Sequence, residues 1–401
     1  MNDFTFYSPT RFVFGRGAVD RVGRELAADG RRRALIVYGR GSVARTGTLQ
    51  RVRSSLAAAG IEAAELGGVR PNPEIGSVRQ GVRIAREMRS DIILALGGGS
   101  AIDAAKAIAL ATPYEGDAWD FFAKRAQPAA PLPVAVVLTI PASGSEASNS
   151  SVVSNDAEHL KSGINTDLIR PVCAIMDPEL TFTLPPYQTA AGVCDMICHV
   201  MERFFSGEPA VTVTDGIGCS LIRSAIQMGP RVMADPLDYD ARANLMWIST
   251  LAHNGLAGLG MGVAGKRDGD WSAHALEHEL SALDTSITHG AGLAVIFPAW
   301  MRHVWSAHPE RFLTFGKEIF DIEPVEENPL AAKDAIECSI DELQNFFVSL
   351  GMPRTLAELG LVEDDIELLL PGLLANRGER FGTFMSLTLD DARSIYLSAL
   401  R

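Results

Sequence analysis

Asp91-Ile92-Ile93-Leu94-Ala95-Leu96 runs directly into Gly97-Gly98-Gly99-Ser100 and then Ala101-Ile102-Asp103-Ala104-Ala105-Lys106, and this junction decides the fold. The first six residues read as a strand buried on both faces, because the apolar run is short and unbroken. The glycines make a tight β-to-α turn that opens a helix expected over Ala101–Leu110. In that setting glycine lets the backbone approach a pyrophosphate, and the helix N-terminus aims unpaired N–H groups at it. The same turn also serves with no ligand at all. It is neither GxGxxG nor a P-loop, since no Gly-Lys-Ser/Thr ends it. Asp103 and Lys106, three apart, leave one face of the first helical turns, which strengthens the ligand reading.

Outward from this junction, two patterns alternate. Upstream, Ala34-Leu35-Ile36-Val37-Tyr38 is a second β-leaning run that stops at Gly39-Arg40-Gly41-Ser42. A helix is expected over Ala44–Ala59, a loop at Gly68–Pro73, and an amphipathic helix up to about Met88. Downstream, Pro133–Ile140 is a third buried run, followed by the polar loop Thr139-Ile140-Pro141-Ala142-Ser143-Gly144-Ser145-Glu146. Strands alternating with helices imply βαβ units and a parallel sheet. Both loops then leave the carboxyl edge of that sheet, where open α/β folds bind ligands, and can hold a dinucleotide from two sides. Hydroxyls satisfying turn backbone account equally well for the second loop.

The texture changes after Leu184-Pro185-Pro186. Gln188–Phe205, Val213–Gln227 and Ala241–Leu259 are long, alanine-rich and free of β-branched blocks, so they read as helices. Two domains follow: an α/β domain over residues 1–186 and an all-α domain over residues 187–401. No internal repeat or low-complexity tract interrupts either.

Charge narrows the function. The chain has 401 residues, with 36 basic and 49 acidic side chains and a formal net charge of −13. A protein so acidic lacks the basic face a nucleic-acid partner needs. No apolar run approaches the ~20 residues that span a bilayer. The start, MNDFTFYSPT, lacks a basic region followed by an apolar one, so no secretory signal is expected. Five cysteines without Cys-x-x-Cys spacing fit free thiols in a reducing cytoplasm.

Histidine is the informative residue. Only eight occur, and six of them fall between His253 and His308. Asp195 and His199 are four apart in AGVCDMICHVMERFF, so they share a helix face. His274 and His278 repeat that spacing in WSAHALEHELSAL, and His289 follows in a loop. An aspartate with three histidines makes a four-coordinate site suited to iron(II) or zinc rather than magnesium or calcium. His159, His253, His303 and His308 lack such partners in the sequence and read as structural or surface residues. His274-Ala275-Leu276-Glu277-His278 also matches the H-x-x-E-H zinc-peptidase signature, with Glu277 as base. That reading leaves the Asp195/His199 pair and the glycine turn without a task.

The chain resembles the iron-containing (group III) alcohol dehydrogenases. The matching segments are YSPTRFVFGRGA, PNPEIGSVRQG, GGGSAIDAAKAIA, TIPASGSEAS, MDPELTFTLPPYQTAAGVCDMICHVME and EHELSAL…THGAGLAVIFPAW. They cover nearly the whole chain in the family order and look closest to the butanol dehydrogenase and aldehyde reductase branch. The resemblance implies a Rossmann-like nucleotide domain, a helical metal-binding domain of dehydroquinate synthase-like architecture, and a catalytic cleft between them. It implies metal ligands Asp195, His199, His274 and His289, with His278 close by in the cleft. It implies cofactor contacts from Gly97, Gly98, Gly99 and Ser100 to the pyrophosphate, with Asp103 near the nicotinamide. Thr139, Ser143 and Lys161 match further contact positions. The His274-to-His289 spacing is one residue longer than the family pattern, and Ser143 stands where threonine is usual.

NAD-preferring relatives carry an aspartate after the strand corresponding to Ala34–Tyr38. Here Gly39 and Arg40 occupy that turn, with Ser42 just beyond, so an anion is gone and a guanidinium is offered. NADP(H) is therefore expected over NAD(H). The expected reaction interconverts a primary alcohol and its aldehyde, such as butanol and butyraldehyde. A divalent metal, Fe2+ or Zn2+, acts as Lewis acid, with His278 and Asp103 as candidate catalytic residues. A cytoplasmic homodimer with a small-molecule alcohol or aldehyde substrate is expected. The alternatives are a dehydroquinate synthase-type lyase, disfavoured because no dense Lys/Arg set lies near the ligands, and a non-enzymatic binding protein.

Overall fold

In the computed structural model every residue is described except 159, 207–210, 263–268 and 325–328, so His159 lies outside the described residues. The chain divides into two compact units. One comprises Tyr7–Leu184 and Asp235–Thr250; the other comprises Met1–Phe6, Pro185–Ala234 and Leu251–Arg401.

The first unit is built on six parallel strands: β1 (Arg11–Phe14), β2 (Arg33–Gly39), β3 (Glu62–Val69), β4 (Ile92–Gly97), β5 (Val134–Leu138) and β8 (Cys173–Met176). Their order across the sheet is β1-β8-β5-β4-β2-β3. A separate antiparallel hairpin pairs β6 (Ser150–Asn155) with β7 (Leu160–Asn165). The sheet is buried on both faces, and the side-chain period of two divides its core. Leu35, Val37, Ile93, Ala95, Val134 and Val136 enter one hydrophobic cluster. Ala34, Ile36, Ile92, Leu94, Ala135 and Val137 enter the other.

Three of the four inner strands, β2, β4 and β5, are the apolar runs expected from the sequence. β1 and β8 are too short to stand out, and β3 (EAAELGGV) is an edge strand with several exposed residues and little β-branching. The winding of the chain across the sheet reverses between β2, whose chain continues outward to β3, and β4, whose chain continues the other way to β5. This switch point is where open α/β sheets take ligands, and the Gly39 and Gly97 turns flank it.

The expected helix over Ala44–Ala59 is two pieces, Ser42–Arg45 and Thr48–Ala58, broken at Gly47 with φ 77°. Ile75–Met88 and Gly99–Ala111 supply the sheet's other long helices.

The second unit carries helices and no sheet among its described residues. Pro186–Phe204, Thr212–Ala234, Ser272–Leu283 and His289–Val304 matter most for the site. The expected helix Ala241–Leu259 is Tyr239–His253, stopped at Gly255 with φ 102°.

Two segments depart from the single cut expected at residue 186. Residues 235–250 belong to the α/β unit because Met246 enters its core and Trp247 packs edge-on against Phe12 at 5.3 Å. Residues 1–6 belong to the helical unit, where the Asn2 N–H donates to the Gly260 carbonyl at 2.8 Å.

Candidate active site

In the α/β unit, β4 ends with Gly97 beside Leu138 of β5, and the Thr139 N–H donates to the Gly97 carbonyl at 3.0 Å. The glycine turn and the 139–146 loop are therefore neighbours. A Cβ on Gly98 would lie 2.8 Å from Cβ of Ile140, and one on Gly99 would lie 2.6 Å from Oγ of Ser143. None of these glycines has a positive φ. Close approach of the two loops, not backbone conformation, demands glycine here.

Asp103 is half-buried one turn into the helix. Its Oδ1 accepts from Ser145 Oγ at 2.7 Å and its Oδ2 from the Val152 N–H at 3.0 Å. Burial raises its pKa, against the lowering pull of Lys106, these hydrogen bonds and Lys161. Asp103 thus ties the glycine-turn helix to the loop and to β6. Lys161 is buried in β7, Thr139 is buried, and Ser143 is half-buried over Gly99. Arg40 and Ser42 are exposed just past β2.

In the helical unit, Asp195 and His199 share a face of Pro186–Phe204, with Asp195 Oδ1 3.2 Å from His199 Nδ1. The same Oδ1 lies 3.9 Å from His274 Nε2 and 3.8 Å from His289 Nε2. Asp195, His274 and His289 can each present one ligand atom within 4.8 Å of the other two. His199 stands beside this trio, its ring 4.7 Å from that of His274. His278 is half-buried, its ring 5.4 Å from that of His289, and these two form a second compact group with Glu277.

Two buried glutamates explain why the imidazoles face as they do. Glu202 Oε1 is 2.7 Å from His274 Nδ1 and accepts the His274 N–H at 2.8 Å. Its Oε2 accepts the Trp271 N–H at 2.5 Å, which holds Trp271 at φ 63°, a left-handed conformation unusual for tryptophan. Glu277 is fully buried and hydrogen-bonds His289 Nδ1. A carboxylate that accepts a hydrogen bond from Nδ1–H holds the proton there and leaves the Nε2 lone pair for a metal. Both Nε2 atoms so prepared face Asp195. The donor set of one carboxylate and neutral imidazoles therefore fits a divalent transition ion. Glu277 held against His289 is also not placed as the free base of a zinc peptidase.

Glycine again permits the geometry. A Cβ on Gly290 would fall 2.0 Å from the Ala191 carbonyl oxygen, and one on Gly292 would fall 2.8 Å from Glu277 Cγ. The bare backbone lets His289–Val304 touch Pro186–Phe204 one residue after His289. The segment Asp284–Ile287, where the extra residue is expected, is exposed over 284–286, and the Ser286 N–H donates to Asp284 Oδ1 at 2.8 Å.

Sequence reasoning missed Glu202, and it also set His253 aside. That ring is buried edge-on against His199 at 4.2 Å. Neither carries a local signal, since their partners are distant in the chain. Glu277 was visible only as part of the peptidase signature. His303 pairs with Asp391 at 3.0 Å and His308 with Glu310 at 3.3 Å, away from this cluster.

Residues 9–178 match the iron-containing alcohol dehydrogenase domain, and residues 189–400 match the C-terminal domain of the same family. The chain belongs to the iron-containing alcohol dehydrogenase family. Membership makes it an oxidoreductase acting on alcohols. It is 40% identical to the NADH-dependent butanol dehydrogenase A of Clostridium acetobutylicum over 397 residues, 99% of each chain. It is 34% identical to the NADPH-dependent aldehyde reductase YqhD of Escherichia coli over the full length of both. Among solved structures, the NADH-dependent butanol dehydrogenase A of Thermotoga maritima matches with a TM-score of 0.94 at 36% identity, covering 100% of this chain and 99% of that one.

Proposed function

We propose that this protein reduces a small aldehyde such as butyraldehyde to its primary alcohol with NADPH, and runs the reverse reaction, using one divalent metal held by Asp195, His199, His274 and His289. The observation that carries this reading is the pair of Nε2 atoms turned toward Asp195 by buried Glu202 and Glu277. With their cofactor and ion bound, these sites supply the hydride of the nicotinamide and Lewis-acid polarisation of the carbonyl.

The chain's own residues do the rest. Glu202 and Glu277 keep His274 and His289 in the tautomer that donates through Nε2. His278, half-exposed one helical turn from His274, holds the proton that the product oxygen takes up. The amides of Gly97–Ser100 take the pyrophosphate at the start of Gly99–Ala111. Asp103 fixes the loop that faces them.

NADPH is proposed over NADH on Gly39 and the exposed Arg40. Relatives of both preferences match this chain, so the ratio of kcat/KM for the two cofactors is the measurement. A ratio above one for NADPH supports the assignment, and parity or an NADH preference ends it. We place the enzyme in the cytoplasm as a homodimer. No described helix is long and apolar enough to cross a membrane. Phe14 at the end of β1, and Tyr7 in the segment that leads into it, are exposed at the sheet edge, where a second copy can cover them.

The deciding experiment is metal analysis of anaerobically purified protein, followed by an aldehyde panel with NADPH and NADH. Near one iron or zinc per chain, with metal-dependent oxidation of the nicotinamide, is expected. Full activity in metal-stripped protein overturns the proposal.

A further inference from the structure

Lys106 is the one fully buried lysine of the glycine-turn helix, and the reaction just described gives it no task. Its Nζ donates to the carbonyl oxygens of Ser145 at 2.7 Å, Ser148 at 2.9 Å and Ser150 at 2.9 Å. It also reaches Ser145 Oγ at 3.0 Å and Ser148 Oγ at 3.2 Å. Three N–H bonds thus serve five oxygens, all from one six-residue stretch. Drawing three carbonyls onto one point curls that stretch around the ammonium.

The curl is connected to the nucleotide turn. Ser145 Oγ donates to Asp103 Oδ1 at 2.7 Å, and the Ser145 N–H donates to Ser143 Oγ at 3.3 Å. Ser143 Oγ is the atom that a Cβ on Gly99 would strike. An aliphatic side chain of similar volume would fill the space without collecting the carbonyls. A buried charge costs stability in general, so packing does not explain its presence.

We infer that Lys106 is a positioning residue for the nicotinamide cofactor, acting through the Ser143–Ser150 loop that walls the glycine turn. The inference rests on the reading of that turn as the nucleotide site. The charges facing Nζ are Asp103 on its own helix and Glu146 on the loop, which favour the ammonium, and Arg170, which opposes it. Burial outweighs them and pushes the pKa down to about 8.

The test is titration of the metal-loaded enzyme with NADH, followed by protein fluorescence, for wild type and Lys106→Met. NADH is chosen because it lacks the 2′-phosphate, which titrates itself. The variant is expected to bind NADH about tenfold more weakly and to raise KM for NADH similarly, a loss of one hydrogen-bonded anchor. KM for butyraldehyde and metal content should stay within about twofold, the range left to an uncoupled site. In wild type, NADH affinity should fall as pH rises through about 8, and the variant should show no such step. Wild type that fails to bind both NADH and NADPH refutes the reading of the turn itself. Wild type that binds, with Lys106→Met binding equally well, refutes only the role of Lys106. If the variant does not fold, a flat wild-type affinity profile between about pH 7 and pH 9.5 overturns the inference, since that window brackets the titration.

Discussion

Glu202 and Glu277 are, on the proposed function, the residues that orient the metal-binding imidazoles from behind. Each is fully buried and each meets an imidazole Nδ1, so each sets which nitrogen faces Asp195. Glu277→Gln keeps the volume but presents a neutral amide to His289. It should weaken metal affinity by about 10- to 100-fold, as other changes behind a ligand do; competition with a chromophoric chelator measures this, and unchanged affinity refutes the role. Glu202→Gln should do more, because Glu202 also accepts the N–H groups of Trp271 and His274 at the start of Ser272–Leu283. Its melting temperature should fall together with its metal content. His199→Ala should lose metal and turnover together; a variant that keeps both removes His199 from the ligand set.

At the scale of elements, the His289–Val304 helix meets Pro186–Phe204 through Gly290. Even one methyl group at Gly290 would overlap the Ala191 carbonyl, so Gly290→Ala must part the two helices. A destabilisation of roughly 1–3 kcal/mol is expected, as for other overpacked positions. Metal retention should drop as well, since His289 would move off Asp195. Normal metal content and an unchanged urea midpoint would show that the contact is not needed.

These elements also show what was legible beforehand. The strands over residues 34–38, 91–96 and 133–140 could be read because each is an unbroken apolar run in the middle of a parallel sheet. β1, β3 and β8 could not, being short or one-sided. Asp195, His199, His274 and His278 could be read as pairs because four residues make about one helical turn. Which donors converge depends on how separate helices pack. Asp195, His274 and His289 come together, while His278 groups with Glu277 and His289. The three glycines of the turn were legible as a ligand cradle, yet contact with Ile140 and Ser143 already requires two of them.

For the whole molecule, stability should carry the mark of its buried lysine. The native pKa of Lys106 is about 8 against 10.5 for the free side chain. Between those values the unfolded chain holds a proton that the native chain has released, so unfolding free energy rises with pH across that window. Below about pH 8 both states are protonated and the gain is absent. Unfolding free energies from urea titration, wild type relative to Lys106→Met, should therefore climb between about pH 8 and pH 10, by on the order of 1–3 kcal/mol. A flat difference refutes the shifted titration. Cofactor affinity should move the opposite way over the same range, which separates positioning from simple stabilisation.

The sequence alone determined the alternation of buried strands and helices, the glycine turn after β4, the change to helical texture near Pro186, and the aspartate and histidines one turn apart. These are short-range properties: side-chain period, backbone freedom and local propensity act over a few residues. Only the tertiary structure decided that residues 235–250 pack with the sheet, that Glu202 and Glu277 aim two imidazoles at Asp195, and that Lys106 gathers the serine loop. The direction of a ring nitrogen and the burial of a charge are set by elements far apart in the chain. Those packing contacts leave no mark at the residues they govern.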